Sequence, residues 1–125
     1  MSSRSFVLSR RSLALALATI LSTPLPASAH AILESSLPAA GASVPAGPIA
    51  LRLRFNSRID RDRSVLTLIA PDKTRTQVPI AASDMPQAVD AAVTLPGGAY
   101  VLRWQVLAID GHITRGDLPF TVTGP

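Results

Sequence analysis

The chain has 125 residues, with twelve basic and eight acidic side chains for a formal net charge of +4, and it contains no cysteine. That length supports one domain. The lack of cysteine excludes disulfides and thiolate metal sites, so any metal must rely on nitrogen and oxygen donors.

The charge is unevenly spread. Arg4, Arg10 and Arg11 precede a short apolar run, Leu13–Leu21, far below the roughly 20 residues of a membrane span. Pro26-Ala27-Ser28-Ala29 then ends in the small-x-small pattern of a secretory cleavage site. Residues 1–29 therefore read as a cleaved export signal and residues 30–125 as the mature, exported domain. Ser9-Arg10-Arg11-Ser12-Leu13 also resembles a twin-arginine motif, so the Sec and twin-arginine routes both stay open. Nine basic and eight acidic side chains follow residue 29. A mature charge near +1 gives no basis for nucleic-acid binding.

Every strong signal after the leader is for strands. Ala31–Ser35 is a candidate first strand, followed by a region that Pro38, Pro45 and Pro48 break into loops. Ile49–Phe55 alternates Leu51, Leu53 and Phe55 with Arg52 and Arg54, the pattern of a half-buried strand. Ser64–Ala70 is β-branched and apolar, Pro71-Asp72-Lys73 has turn chemistry, and Arg75–Ile80 should return as a hairpin partner. Ala88–Leu95 is a further strand, closed by Pro96-Gly97-Gly98. The longest strand, Ala99–Ile109, places Tyr100, Leu102, Trp104, Val106 and Ala108 on one face, where Trp104 should pack in the core. Leu118, Phe120 and Val122 form a last alternating strand before Gly124. No segment after residue 30 sustains a helical period. The expected fold is all-β, an antiparallel Greek-key barrel or immunoglobulin-like sandwich of about seven strands.

The chemistry concentrates on the two histidines. Cleavage after Ala29 would give His30 a free α-amine beside its imidazole, and the amine with Nδ1 can close a six-membered chelate ring on one ion. The other histidine lies in Asp110-Gly111-His112, just past the longest strand. Side chains two apart in extended backbone point the same way, and Gly111 allows a turn or a close ligand. An amine, two imidazoles and a carboxylate suit tetragonal Cu(II), which also tops the divalent affinity order. Zn(II) could use the same atoms tetrahedrally. Cu(I) prefers soft sulfur, and Met85 is the one methionine after the leader.

With these residues in view, the chain resembles the CopC/PcoC periplasmic copper-binding proteins. The resemblance covers His30–Val122 and rests on six features. They are the start His30-Ala31, the segment Ser36-Leu37-Pro38-Ala39-Ala40-Gly41, the strand ending at Phe55, Gly98-Ala99-Tyr100-Val101-Leu102-Arg103-Trp104, Asp110-Gly111-His112 and Phe120-Thr121-Val122. It implies a small Greek-key domain that binds one Cu(II) ion through His30, Asp110 and His112, for copper buffering, delivery or resistance rather than catalysis. It also implies an inner-membrane copper transporter of the CopD type as partner, with the protein itself a monomer.

Two departures accompany the resemblance. The methionine-rich Cu(I) segment of some members is absent, and Asn56-Ser57-Arg58 stands where some members carry a glutamate ligand. Glu34 and Asp60 read as solvated surface charges. Other readings remain open. An N-terminal histidine chelate with a second histidine also resembles the histidine brace of copper monooxygenases, and the domain could be a sandwich without metal. Arg115-Gly116-Asp117 spells an integrin-recognition tripeptide, here a coincidence of an exported bacterial chain. Arg52, Arg54, Arg58, Arg61 and Arg63 read as a solvated face rather than a docking patch.

Overall fold

A computed structural model describes residues 31–125; the expected export segment and His30 lie outside the described residues. The described residues form eight strands and no helix. These are β1 (Leu33–Leu37), β2 (Ser43–Pro45), β3 (Gly47–Phe55), β4 (Ile59–Ile69), β5 (Arg75–Val78), β6 (Ala88–Leu95), β7 (Gly98–Ala108) and β8 (Ile113–Thr123). They make two sheets, ordered β1-β3-β6 and β2-β8-β7-β4-β5. Every adjacent pair is antiparallel except β2 with β8, which run parallel. The expected all-β sandwich is observed, with one more strand than anticipated. The additional one is β2, where Val44 lies between Ser43 and Pro45 and no alternation has room to show.

The alternating strands supply the interior. Ile49, Leu51, Leu53 and Phe55 are buried on β3, while Ala50 and Arg54 between them are exposed. Tyr100, Leu102, Trp104, Val106 and Ala108 are buried on β7, opposite Leu118, Phe120 and Val122 of β8 on the same inner face. Each large side chain taken fully out of water contributes about 1.5–3 kcal/mol. One aromatic pair joins the two layers and another lies within the larger sheet. Phe55 of one sheet meets Trp104 of the other edge-on, with centroids 5.1 Å apart, and Tyr100 stacks on Phe120 at 5.8 Å. Trp104 is 6% exposed and is core, as its position on the apolar face predicts. Gly116 lies directly across from it, and a Cβ there would run into the indole ring.

Charge patterning resolves into ion pairs rather than a continuous basic patch. Arg52 reaches Asp90 with both Nε and Nη2 at 2.7 Å, and Arg103 reaches Asp117 at 2.8 and 3.0 Å. The Arg52 guanidinium holds the Asp90 carboxyl below the usual carboxylate range, and Arg103 does the same for Asp117. Arg61 turns back to bond the carbonyls of Ser83, Met85 and Ala88, tying down the segment before β6. The Arg115-Gly116-Asp117 tripeptide lies within β8, with Arg115 bonded to Gln105, Gly116 under the indole and Asp117 paired with Arg103.

Candidate metal centre

The β7–β8 hairpin ends in a tight connection, Ile109-Asp110-Gly111. The Gly111 N–H donates to the Ala108 carbonyl at 2.8 Å, and the Ala108 N–H donates to the His112 carbonyl at 2.9 Å. Gly111 has φ +97°, left-handed backbone that a side chain resists. This is the three-residue hairpin loop closed by a left-handed glycine. Asp110 fits such a turn because its carboxylate can take up a nearby backbone donor. Oδ1 accepts the His112 N–H at 3.2 Å and lies 3.3 Å from His112 Nδ1.

The two side chains therefore meet through the turn, not through the extended backbone anticipated for positions two apart. The Asp110 and His112 side chains are 42% and 50% exposed, so the pair lies at the surface of the sandwich. The hairpin beneath is rigid, paired continuously from Leu107↔Ile113 to Gly98↔Val122. A carboxylate oxygen and an imidazole nitrogen at this spacing can both turn onto one divalent ion, giving one oxygen and one nitrogen donor. Among the described residues no third histidine, cysteine or carboxylate completes a metal cluster. Further donors have to come from elsewhere, and His30 lies outside the described residues.

The start of the described chain is held at the same end of the sandwich. Ala31 is fully buried in the core. The Ile32 N–H donates to Asn56 Oδ1 at 2.8 Å, and the Asn56 N–H donates to the Ile32 carbonyl at 3.0 Å. Two residues on, the Arg58 carbonyl accepts the Ile109 N–H at 2.9 Å, and Ile59 pairs with Ala108. The short link 56–58 thus touches both the leading end of β1 and the Asp-Gly-His turn.

The two acidic alternatives are engaged by arginines. Glu34 pairs with Arg54 at 3.2 Å, and Asp60 faces Arg63 at 3.6 Å. Met85 lines a shallow groove with Glu34, Asn56 and Gln87, and no other methionine stands among the described residues. Asn56 was legible in the sequence only as a missing carboxylate. Its hold on Ile32 depends on a pairing between distant strands that no local pattern announces.

The chain matches the CopC domain over residues 33–123. It is 33% identical over 118 residues to Protein YobA of Escherichia coli K12, an alignment covering 90% of this chain and 95% of that protein. The Shigella flexneri protein of the same name aligns equally well. The solved structure of CopC from Methylosinus trichosporium OB3b superposes with a TM-score of 0.68 at 29% identity, covering 74% of this chain and 93% of that one. PcoC, a methionine-rich copper resistance protein from Escherichia coli, superposes at 0.63 with 28% identity, covering 76% and 100%.

Proposed function

The chain belongs to the CopC family, and from that premise we propose that it is a periplasmic copper-binding protein that buffers or delivers Cu(II). In this reading the export signal is cleaved after Ala29. The His30 amine and Nδ1, the His112 imidazole and the Asp110 carboxylate hold one Cu(II) ion per chain. The observation that carries the reading is the Asp110–His112 pair, 3.3 Å apart on a tight turn and half-exposed. Support comes also from the residue-32 backbone, which is bound to the link beside that turn. Copper is the cargo here. Its nitrogen donors must be deprotonated to bind, so affinity falls as the pH drops below neutral. Four protein donors in a roughly square arrangement leave little space for substrate, which favours binding over oxidative catalysis. The recipient is an inner-membrane copper transporter, and the carrier acts as a monomer.

Protein recovered from the periplasm should begin at His30 and bind one equivalent of Cu(II), far more tightly than Zn(II). A version with a methionine left before His30 loses the free amine as a chelating donor. It should bind weaker by several kcal/mol, each ~1.4 kcal/mol being about tenfold. Equal affinity in the two forms would sink the N-terminal chelate. Sustained turnover of a reductant by the copper-loaded protein would favour the oxidative reading, and a preference for Zn(II) would replace the cargo.

A further inference from the structure

We propose that Asn56 is the positioning residue that brings the N-terminal donors to the Asp-Gly-His turn. The proposal rests on the reading that His30 supplies donors to the ion. Asn56 is the first residue beyond β3, and the ladder between β1 and β3 ends one step earlier, at Leu33↔Phe55. Past that point Asn56 binds both backbone groups of Ile32, one with its side-chain oxygen and one with its own N–H. Ile32 is thereby fixed in both translation and rotation, two residues after His30.

The clamp matters because β1 is poorly registered by its own side chains. It is an edge strand, and none of its five residues is fully buried. Its pairing is irregular between Leu33 and Ser35, where Glu34 is the extra residue. A strand with little buried face and a bulge specifies its register weakly, and a one-residue slip turns every side chain over. It also displaces the backbone by roughly 3.3 Å, more than a metal–ligand bond tolerates. Ala31 resists such a slip with a single buried methyl group. Asn56 supplies the directional constraint that a methyl cannot. It does so from the link whose other end, at Arg58, bonds the backbone of Ile109 beside Asp110. Asparagine suits the task because its side-chain oxygen accepts a backbone N–H without adding a charge beside the ion.

The test uses protein recovered from the periplasm, as wild type, Asn56→Ala and Asn56→Asp. Amide hydrogen exchange at Ile32 in the copper-free protein reads the clamp. Cu(II) affinity and the nitrogen hyperfine pattern of the Cu(II) paramagnetic resonance spectrum read its effect on the site. Asn56→Ala should speed Ile32 exchange and weaken Cu(II) binding by about three- to tenfold, the size of one hydrogen bond. Part of its copper should shift to a spectrum with fewer nitrogens. Asn56→Asp keeps the acceptor and should restore both the protection and the nitrogen count. If Asn56→Ala speeds Ile32 exchange while affinity and spectrum stay as in wild type, Asn56 is merely structural and the inference is overturned. An Ile32 amide as labile in wild type as in Asn56→Ala overturns it as well. Wild type that binds Cu(II) without nitrogen donors from residue 30 overturns the proposed function, and this inference with it.

Discussion

Trp104 and His112 belong to one hairpin and obey opposite rules. Trp104 sits mid-strand at 6% exposure, wedged between Phe55 and Gly116. His112 sits at the hairpin tip, half exposed, touching the Asp110 carboxylate. The strand holds the tip in place, while the Asp110 and His112 side chains stand outside the buried core. Chemistry placed at the end of a rigid element can therefore change without costing the fold, and the interior can be weakened without redesigning the site.

The sharpest break of this division is Trp104→Ala. It should lower the stability of the metal-free protein by about 3–5 kcal/mol, read by chemical denaturation, and leave the Cu(II) spectrum of the folded fraction unaltered. His112→Ala should do the reverse. Cu(II) affinity should fall more than about a hundredfold, or ~2.7 kcal/mol, with one nitrogen lost from the spectrum and the thermal melt of the metal-free protein unmoved. Asp110→Asn removes charge but no nitrogen, so it should weaken binding less and keep the nitrogen count. If His112→Ala instead unfolds the protein, tip and strand are not separable.

Gly116→Ala tests the same boundary from the strand side. The added methyl must displace the Trp104 indole, and overpacking of this kind costs about 1–3 kcal/mol. Copper affinity should be unchanged. The smallest expected effect is Asp90→Asn. Arg52 depresses the folded-state titration of Asp90. The pair's contribution is therefore fully present above the ordinary aspartate value of about 3.9, and it fades only as the pH falls through the lower folded value. Melting temperatures should differ between wild type and variant by the same margin at pH 7 and pH 5, and converge at the acid end. A gap that closes between pH 7 and 5 would assign the effect to another group.

What could be read from the chain beforehand follows the same division. β3 and β7 were legible because alternation reports a buried face directly, as Leu51, Leu53 and Phe55 do. Asp110-Gly111-His112 was legible because its residue types carry their chemistry with them. The first five residues of β4, Ile59–Arg63, were hidden by their charges. The ladder itself is irregular there, between Asp60 and Val65, and the Ser64 hydroxyl repairs it by donating to the Asp60 carbonyl and accepting the Leu107 N–H. β1 was expected at Ala31–Ser35 and begins at Leu33, since Ala31 leaves the ladder to enter the core. Pro48 looked like a breaker but lies inside β3, paired with Thr94 on one side and beyond the reach of β1 on the other. A residue without an N–H is tolerated where no neighbour asks for one. Each of these depends on a partner far away in the chain.

The parallel pairing of β2 with β8 carries a consequence for how the molecule is assembled. Ser43, Val44 and Pro45 lie beside Thr121, Val122 and Thr123, so one rim of the larger sheet is joined only when the two ends of the domain meet. Closing so long a loop is slow relative to forming the neighbouring hairpins. The β7–β8 hairpin needs no such closure: it alone gives the indole its glycine floor and the Asp110–His112 turn its second leg. The Asp110–His112 pair is therefore assembled by a local hairpin, ahead of the long-range closure of β2 on β8.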